Sequence, residues 1–78
     1  MLNYILVEET PKKVVYKYYP EGGTEAGVVS FDKESNTNSI VTLSEHDKHQ
    51  RYAQKLFKRI REFANSKSFE KEGLIAWY

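Results

Sequence analysis

The sequence contains no cysteine. That excludes disulfide staples, thiolate zinc sites and cysteine nucleophiles together, and it fits a reducing compartment. No apolar run approaches the roughly 20 residues that a membrane helix needs. The opening "MLNYILVEE" has no basic leading region and too short an apolar stretch for a signal peptide. A soluble cytoplasmic protein without a membrane partner is therefore expected. Neither sign of charge dominates, since 12 basic groups stand against 11 acidic ones for a net +1. General electrostatic capture of nucleic acid is not favoured at that balance. Internal repeats and low-complexity tracts are also lacking.

What is present is aromatic. Phe, Trp and Tyr make up 14% of 78 residues, and aromatics are the densest source of buried area open to a small chain. A chain of this length forms one domain, residues 1–78, and buries only about 60–65% of the surface its unfolded form exposes.

Alternation and punctuation divide the N-terminal half into strands. Over residues 2–8, Leu2, Tyr4 and Leu6 share one face under a period of two. Thr10-Pro11 interrupts, because Pro11 has no N–H to give a ladder. Residues 13–19 resume as a strand with Val14, Tyr16 and Tyr18 on one face and Val15, Lys17 and Tyr19 on the other. A short connection between the two predicts an antiparallel hairpin. "PEGG" stops the second strand. Residues 27–32 and 39–43 follow as third and fourth strands around the polar "DKESNTNS".

A helix is predicted over residues 45–65. Ser44 is read as its cap, accepting from the Asp47 backbone N–H, with Glu45 and Asp47 near the positive end of the dipole. Tyr52, Ala53, Leu56, Phe57, Ile60, Phe63 and Ala64 recur at helical spacing over an arc of about 140°. Asn65-Ser66 is its expected end. The tail over 73–78, "GLIAWY", is too apolar to be loose and predicts a short strand or a packed segment. The expected class is α+β: a small antiparallel sheet of three to four strands against one long helix, with Tyr16, Tyr18, Val29 and Phe31 facing inward.

Four features invite functional readings. "YKYY" has the composition of a base-stacking platform, but alternation splits its tyrosines between two faces. The glycines of "PEGGTEAG" precede a strand and are flanked by acids, so they do not form a phosphate loop. His46 and His49, at i and i+3, are the metal-ligand candidates, with Glu45 or Asp47 open to proposal as a third ligand. Both fall in the apolar arc without a clear third ligand, and histidines half-buried at the edge of the core are the expected outcome; no cofactor is assigned. Residues 44–78 carry a net +3 against −2 for residues 1–43. Lys48, Arg51, Lys55, Lys58 and Arg59 lie along the outer helix face, with Lys58 and Glu62 spaced for an ion pair. Ser30, Thr42 and Ser44 lack the context of an activated nucleophile, and no paired carboxylates stand in a catalytic frame. The chain is read as non-enzymatic.

"YKYYPEGG", "GVVSFD", "YAQKLFKRIREFA" and "EGLIAWY" together resemble a set of short hypothetical proteins of low-GC Gram-positive bacteria. That set shares a Tyr-Tyr-Pro-Glu-Gly turn and a Gly-x-x-Ala-Trp-Tyr ending. The resemblance implies a small bacterial protein and carries no activity, cofactor or site residue. The functional expectation comes instead from the sheet face a single helix leaves bare. Ile5, Val7, Val15, Lys17 and Tyr19 form an apolar patch there, and such patches mark interfaces. The leading reading is a protein-interaction module with itself or another protein as partner, homodimerisation being the first case. Nucleic-acid binding through the basic helix face is the alternative.

Overall fold

The computed structural model describes residues 1–76. Within them lie strands β1 (Leu2–Glu9), β2 (Lys13–Pro20), β3 (Gly27–Asp32) and β4 (Thr37–Thr42), helix α1 (Arg51–Ser66) and strand β5 (Glu72–Ile75). The strands form one sheet in the order β4-β3-β2-β1-β5, and every neighbouring pair is antiparallel. The architecture is α+β, with the helix packed on one face. The C-terminal segment returns as an edge strand beside β1, with Leu2 opposite Ile75 and Ile5 opposite Glu72. The sheet thus gains a fifth strand; Trp77 and Tyr78 of the expected tail lie outside the described residues.

Local chemistry sets the turns. The Thr10 hydroxyl accepts from the Lys12 and Lys13 amides at 3.2 and 3.0 Å, closing the β1–β2 connection. After β2, Glu21 and Gly22 both take positive φ (53° and 70°), and the Gly23 amide returns to the Pro20 carbonyl at 2.9 Å. Asp32 accepts from the amides of Glu34 and Ser35, an Asx turn that reverses the chain into β4.

Alternation then decides the core. Leu2, Tyr4, Val14, Tyr16, Tyr18, Val29 and Phe31 point to the helix side and are buried. From α1, Ala53, Leu56, Ile60 and Phe63 meet them. Each such aliphatic or aromatic side chain contributes about 1.5–3 kcal/mol on full burial. Aromatic contacts link the layers: Phe63 lies 6.0 Å from Tyr4 and 6.3 Å from Tyr16, and the two tyrosines meet edge-on at 5.7 Å. Phe69, beyond the helix, bridges Phe63 and Phe31. Two glycines make room for the tyrosines. Gly27 pairs across the ladder with Tyr18, and Gly73 with Tyr4. A Cβ at either position would overlap the facing tyrosine ring or its hydroxyl.

The helix begins six residues later than the apolar period suggests. Residues 45–50 form turns, and Ser44 does not cap the helix. Its hydroxyl donates to the Glu25 carbonyl at 2.7 Å and accepts from the His46 amide. The N-cap position is Gln50, whose side chain makes no capping bond, and the capping carboxylate is that of Asp47, which is buried. Its Oδ1 accepts from the Tyr52 amide and its Oδ2 from the Ala53 amide, both at 2.9 Å. The Tyr18 hydroxyl donates to Oδ2 as well, at 3.0 Å. A carboxylate upstream of the helix thus takes up the orphan donors at its N-terminus and ties them to β2. At the other end Lys67 adopts the left-handed conformation (φ 58°), its amide bonding the Ala64 carbonyl while Ser68 bonds that of Phe63. This is the Schellman arrangement, with lysine where glycine is usual. Among the described residues no helix is long and apolar enough to cross a membrane.

Candidate functional site: the open face of the sheet

With α1 on one face, the other face is left to solvent. It is built from the alternate residues: Asn3 and Ile5 of β1, Val15, Lys17 and Tyr19 of β2, Val28 and Ser30 of β3, and Glu72 and Leu74 of β5. Ile5 is 43% exposed and Leu74 52%, large values for aliphatic side chains in a sheet. Tyr19, Val15 and Val28 are half-buried by their neighbours.

Antiparallel register arranges these groups in rows across the strands. Ile5 pairs with Lys17 on β2 and with Glu72 on β5, so one row reads Lys17, Ile5, Glu72. Asn3 pairs with Tyr19 and with Leu74, so the next row reads Tyr19, Asn3, Leu74. Adjacent strands are about 4.8 Å apart, which separates Lys17 from Glu72 by roughly 10 Å within the sheet. Among the described residues neither makes an ion pair. The face therefore carries a cation and an anion, both unspent, flanking an aliphatic centre.

Of the patch residues read from the sequence, Ile5, Val15, Lys17 and Tyr19 do share this surface. Val7 sits differently. Register shifts between Leu6 and Glu8, making Val7 the extra residue of a β-bulge, 53% exposed and outside the regular rows. Val41 is likewise the extra residue of a β4 irregularity, 62% exposed. Sequence reasoning missed Val28, Leu74 and Glu72. Val28 was open to the alternation argument, since Val29 faces inward. Leu74 and Glu72 join the patch only because β5 lies beside β1, a pairing across some 70 residues with no local signal.

The basic helix face is thinner than its sequence suggested. Lys48 lies in the turns before α1. Arg59 is half-buried, pairs with Glu62 at 3.3 Å, and stands beside the Tyr4 hydroxyl. Glu62 thus meets Arg59 rather than Lys58. Arg51, Lys55 and Lys58 remain along the outer surface. Lys55, Lys58 and Arg59 line a shallow hollow of about 190 Å³ with Glu62, Ile75 and Ala76.

His46 and His49 are both exposed in the turns, not half-buried on a helical turn, so the i, i+3 argument for a shared metal loses its basis. They line separate hollows, His46 with Glu21 and Gly23, His49 with Arg51 and Tyr52. Among the described residues no three His, Asp or Glu side chains gather as a metal group.

Apart from the Asn38 side chain on β4, whose buried amide has no hydrogen-bond partner among the described residues, the buried polar groups are committed to the fold. Burial raises the hydroxyl of Tyr4, with the Glu70 charge adding to the effect and Arg59 opposing it. Tyr16 is raised well above its ordinary range, chiefly by burial, and donates to the Glu70 carbonyl at 2.7 Å. Burial, opposed by the Ser44 amide and assisted by Asp47, pushes Tyr18 up to about 12. On the surface, the Tyr52 hydroxyl and the N-terminal ammonium bond one oxygen of Glu21 and hold its carboxyl below the usual range. The hollow at the far end of the sheet, about 260 Å³ between Phe31, Ala64 and Phe69, has its Lys33 paired with Glu9 at 3.3 Å and seated 5.0 Å over the Phe69 ring.

No protein-family model, curated protein or solved structure matches the chain.

Proposed function

We propose that this chain is a non-enzymatic protein-interaction module and that the open sheet face is its working surface. One observation carries the reading: Ile5, Tyr19, Val15, Val28 and Leu74 share the face that α1 leaves uncovered, around Lys17 and Asn3. Apolar groups gathered on one open face of a small protein are the usual mark of an interface. The engagement of Asp47 and of the Tyr16 and Tyr18 hydroxyls in internal hydrogen bonds supports it from the other side, because these buried polar groups hold the helix and sheet together.

The test is a comparative pull-down from the native host. Wild-type bait is set beside Ile5→Glu/Leu74→Glu and beside a control altered on the helix, Lys55→Glu/Lys58→Glu. Specific loss of bound protein from the sheet variant alone is expected. An identical set of captured proteins on all three baits would overturn the reading.

A second reading, binding of nucleic acid, rests on the alignment of Arg51, Lys55 and Lys58 along the outer helix face. It predicts affinity for single- or double-stranded probes that falls with salt and disappears in the helix variant. Unshifted probes at low salt would dispose of it.

A further inference from the structure

We infer that the occupant of the open face is a second copy of this chain, packed face to face about a two-fold axis that runs along β1. This rests on the reading of that face as an interaction surface and adds its partner and geometry. The argument is one of register. Ile5 and Asn3 lie on the central strand of three, and each has one neighbour on β2 and one on β5. A half-turn about an axis parallel to β1, placed above it, lays Ile5 on the partner's Ile5 and exchanges β2 with β5. Lys17 then stands over the partner's Glu72, and Glu72 over the partner's Lys17. In the next row Tyr19 covers the partner's Leu74, and the two Asn3 amides face each other. Face-packed sheets lie about 10 Å apart, a gap that a lysine and a glutamate extended towards each other can span.

Two other axes are disfavoured by the same charges, whereas the like-charge contact of the β1 axis, Glu8 against its own copy, is relieved by Lys13 at 3.6 Å from each Glu8. An axis along β2 would set Lys17 on its own copy, and so would one running across the strands through the Lys17 row. Like charges opposed in an interface repel. Because β5 has only four residues, the overlap of three strands is roughly 14 Å by 13 Å, well below the total of about 1,200 Å² buried by standard stable interfaces. A weak, transient dimer that forms only at high protein concentration follows.

Light scattering coupled to size exclusion, and sedimentation equilibrium, across a concentration series from micromolar upward read the assembly. Wild type is expected to shift from monomer to dimer. Lys17→Glu alone, and Glu72→Lys alone, should each weaken the dimer by about tenfold or more, since each creates two repelling pairs. The double variant Lys17→Glu/Glu72→Lys should return to within about threefold of wild type, because the exchanged charges meet again. Both side chains are exposed, so the variants fold; far-ultraviolet circular dichroism checks this. Zero-length carbodiimide coupling of mixed isotopically light and heavy protein supplies an independent readout, a mixed-label cross-link between Lys17 and Glu72. Monomer at every concentration, or a dimer indifferent to both single reversals, overturns the inference. If the pull-down still separates the sheet variant from the helix variant, the face remains an interaction surface for a different protein. If it does not, both readings fall.

Discussion

Replacing Asp47 by alanine should be among the most damaging single changes available to this chain. The side chain is buried and accepts three hydrogen bonds: from the Tyr52 and Ala53 amides at 2.9 Å and from the Tyr18 hydroxyl at 3.0 Å. Loss of an N-terminal helix cap alone costs about 0.5–2 kcal/mol. Hydrogen bonds to a charged group contribute about 1.5–3 kcal/mol each, and a buried donor left without a partner costs about 1–3 kcal/mol. These terms overlap, so the expected loss is about 3–5 kcal/mol rather than their sum. At about 0.05–0.15 kcal/mol per residue, the whole domain holds roughly 4–12 kcal/mol. Asp47→Ala thus removes a large share of it. Urea unfolding followed by circular dichroism measures the change as a lowered midpoint at unchanged slope. Asp47→Asn should fall between, because its one carbonyl oxygen can serve an amide donor while its NH₂ group opposes another. A double-mutant cycle with Tyr18→Phe should show coupling of about 1–2 kcal/mol, isolating the link between helix start and sheet. A cost below about 0.5 kcal/mol for Asp47→Ala would refute the assignment of this carboxylate as the capping group.

Three further expectations test the same structure. Gly27→Ala, which drives a Cβ into the Tyr18 ring, should destabilise by at least about 1–3 kcal/mol in urea unfolding, whereas Gly23→Ala, whose Cβ would meet only the Pro20 carbonyl oxygen at 3.2 Å, should cost less. Lys67→Gly should stabilise by about 0.5–1 kcal/mol, read as a rise in the unfolding midpoint, because glycine takes the left-handed Schellman position without strain. Alkali should unfold the protein through its buried tyrosines. Tyr18 is pushed up to about 12 in the fold and returns to about 10 when unfolded, so its contribution is complete below pH 10 and fades as pH rises to 12. Urea midpoints should therefore fall across that window, less steeply in Tyr18→Phe; tyrosinate absorbance appearing for all six tyrosines without loss of structure would contradict this.

Much of the sheet was legible in the residues themselves. Strict alternation in "VVYKYY" separates Tyr16 and Tyr18 from Tyr19, and the structure buries the first two and leaves the third at the open face. The period of Ala53, Leu56, Ile60 and Phe63 names the buried side of α1 without any tertiary knowledge. Both are local properties: a strand repeats every two residues and a helix every 3.6, whatever they pack against.

Where the helix begins was not local. Apolar spacing and acidic residues can be extended back to Ser44 on paper, but the chain spends residues 45–50 in turns so that Asp47 can reach both the helix amides and the Tyr18 hydroxyl. A partner 29 positions away in sequence decided it. The histidines followed, carried out of the apolar arc once the helix under them was gone. Arg59 left the solvent stripe for the same kind of reason, drawn to Glu62 and to a tyrosine on a strand at the other end of the chain.

The open face divides along that line as well. The residues Ile5, Val15, Lys17 and Tyr19 were assigned to it by alternation alone. Their completion by Leu74 and Glu72 required β5 to lie against β1, and side-chain pattern does not specify which edge a final strand will take. Strand order is set by long-range pairing and by what the helix can cover. Sequence by itself determined which side of each strand is apolar; tertiary structure decided which of those sides meet, and so placed Lys17 and Glu72 on either side of Ile5.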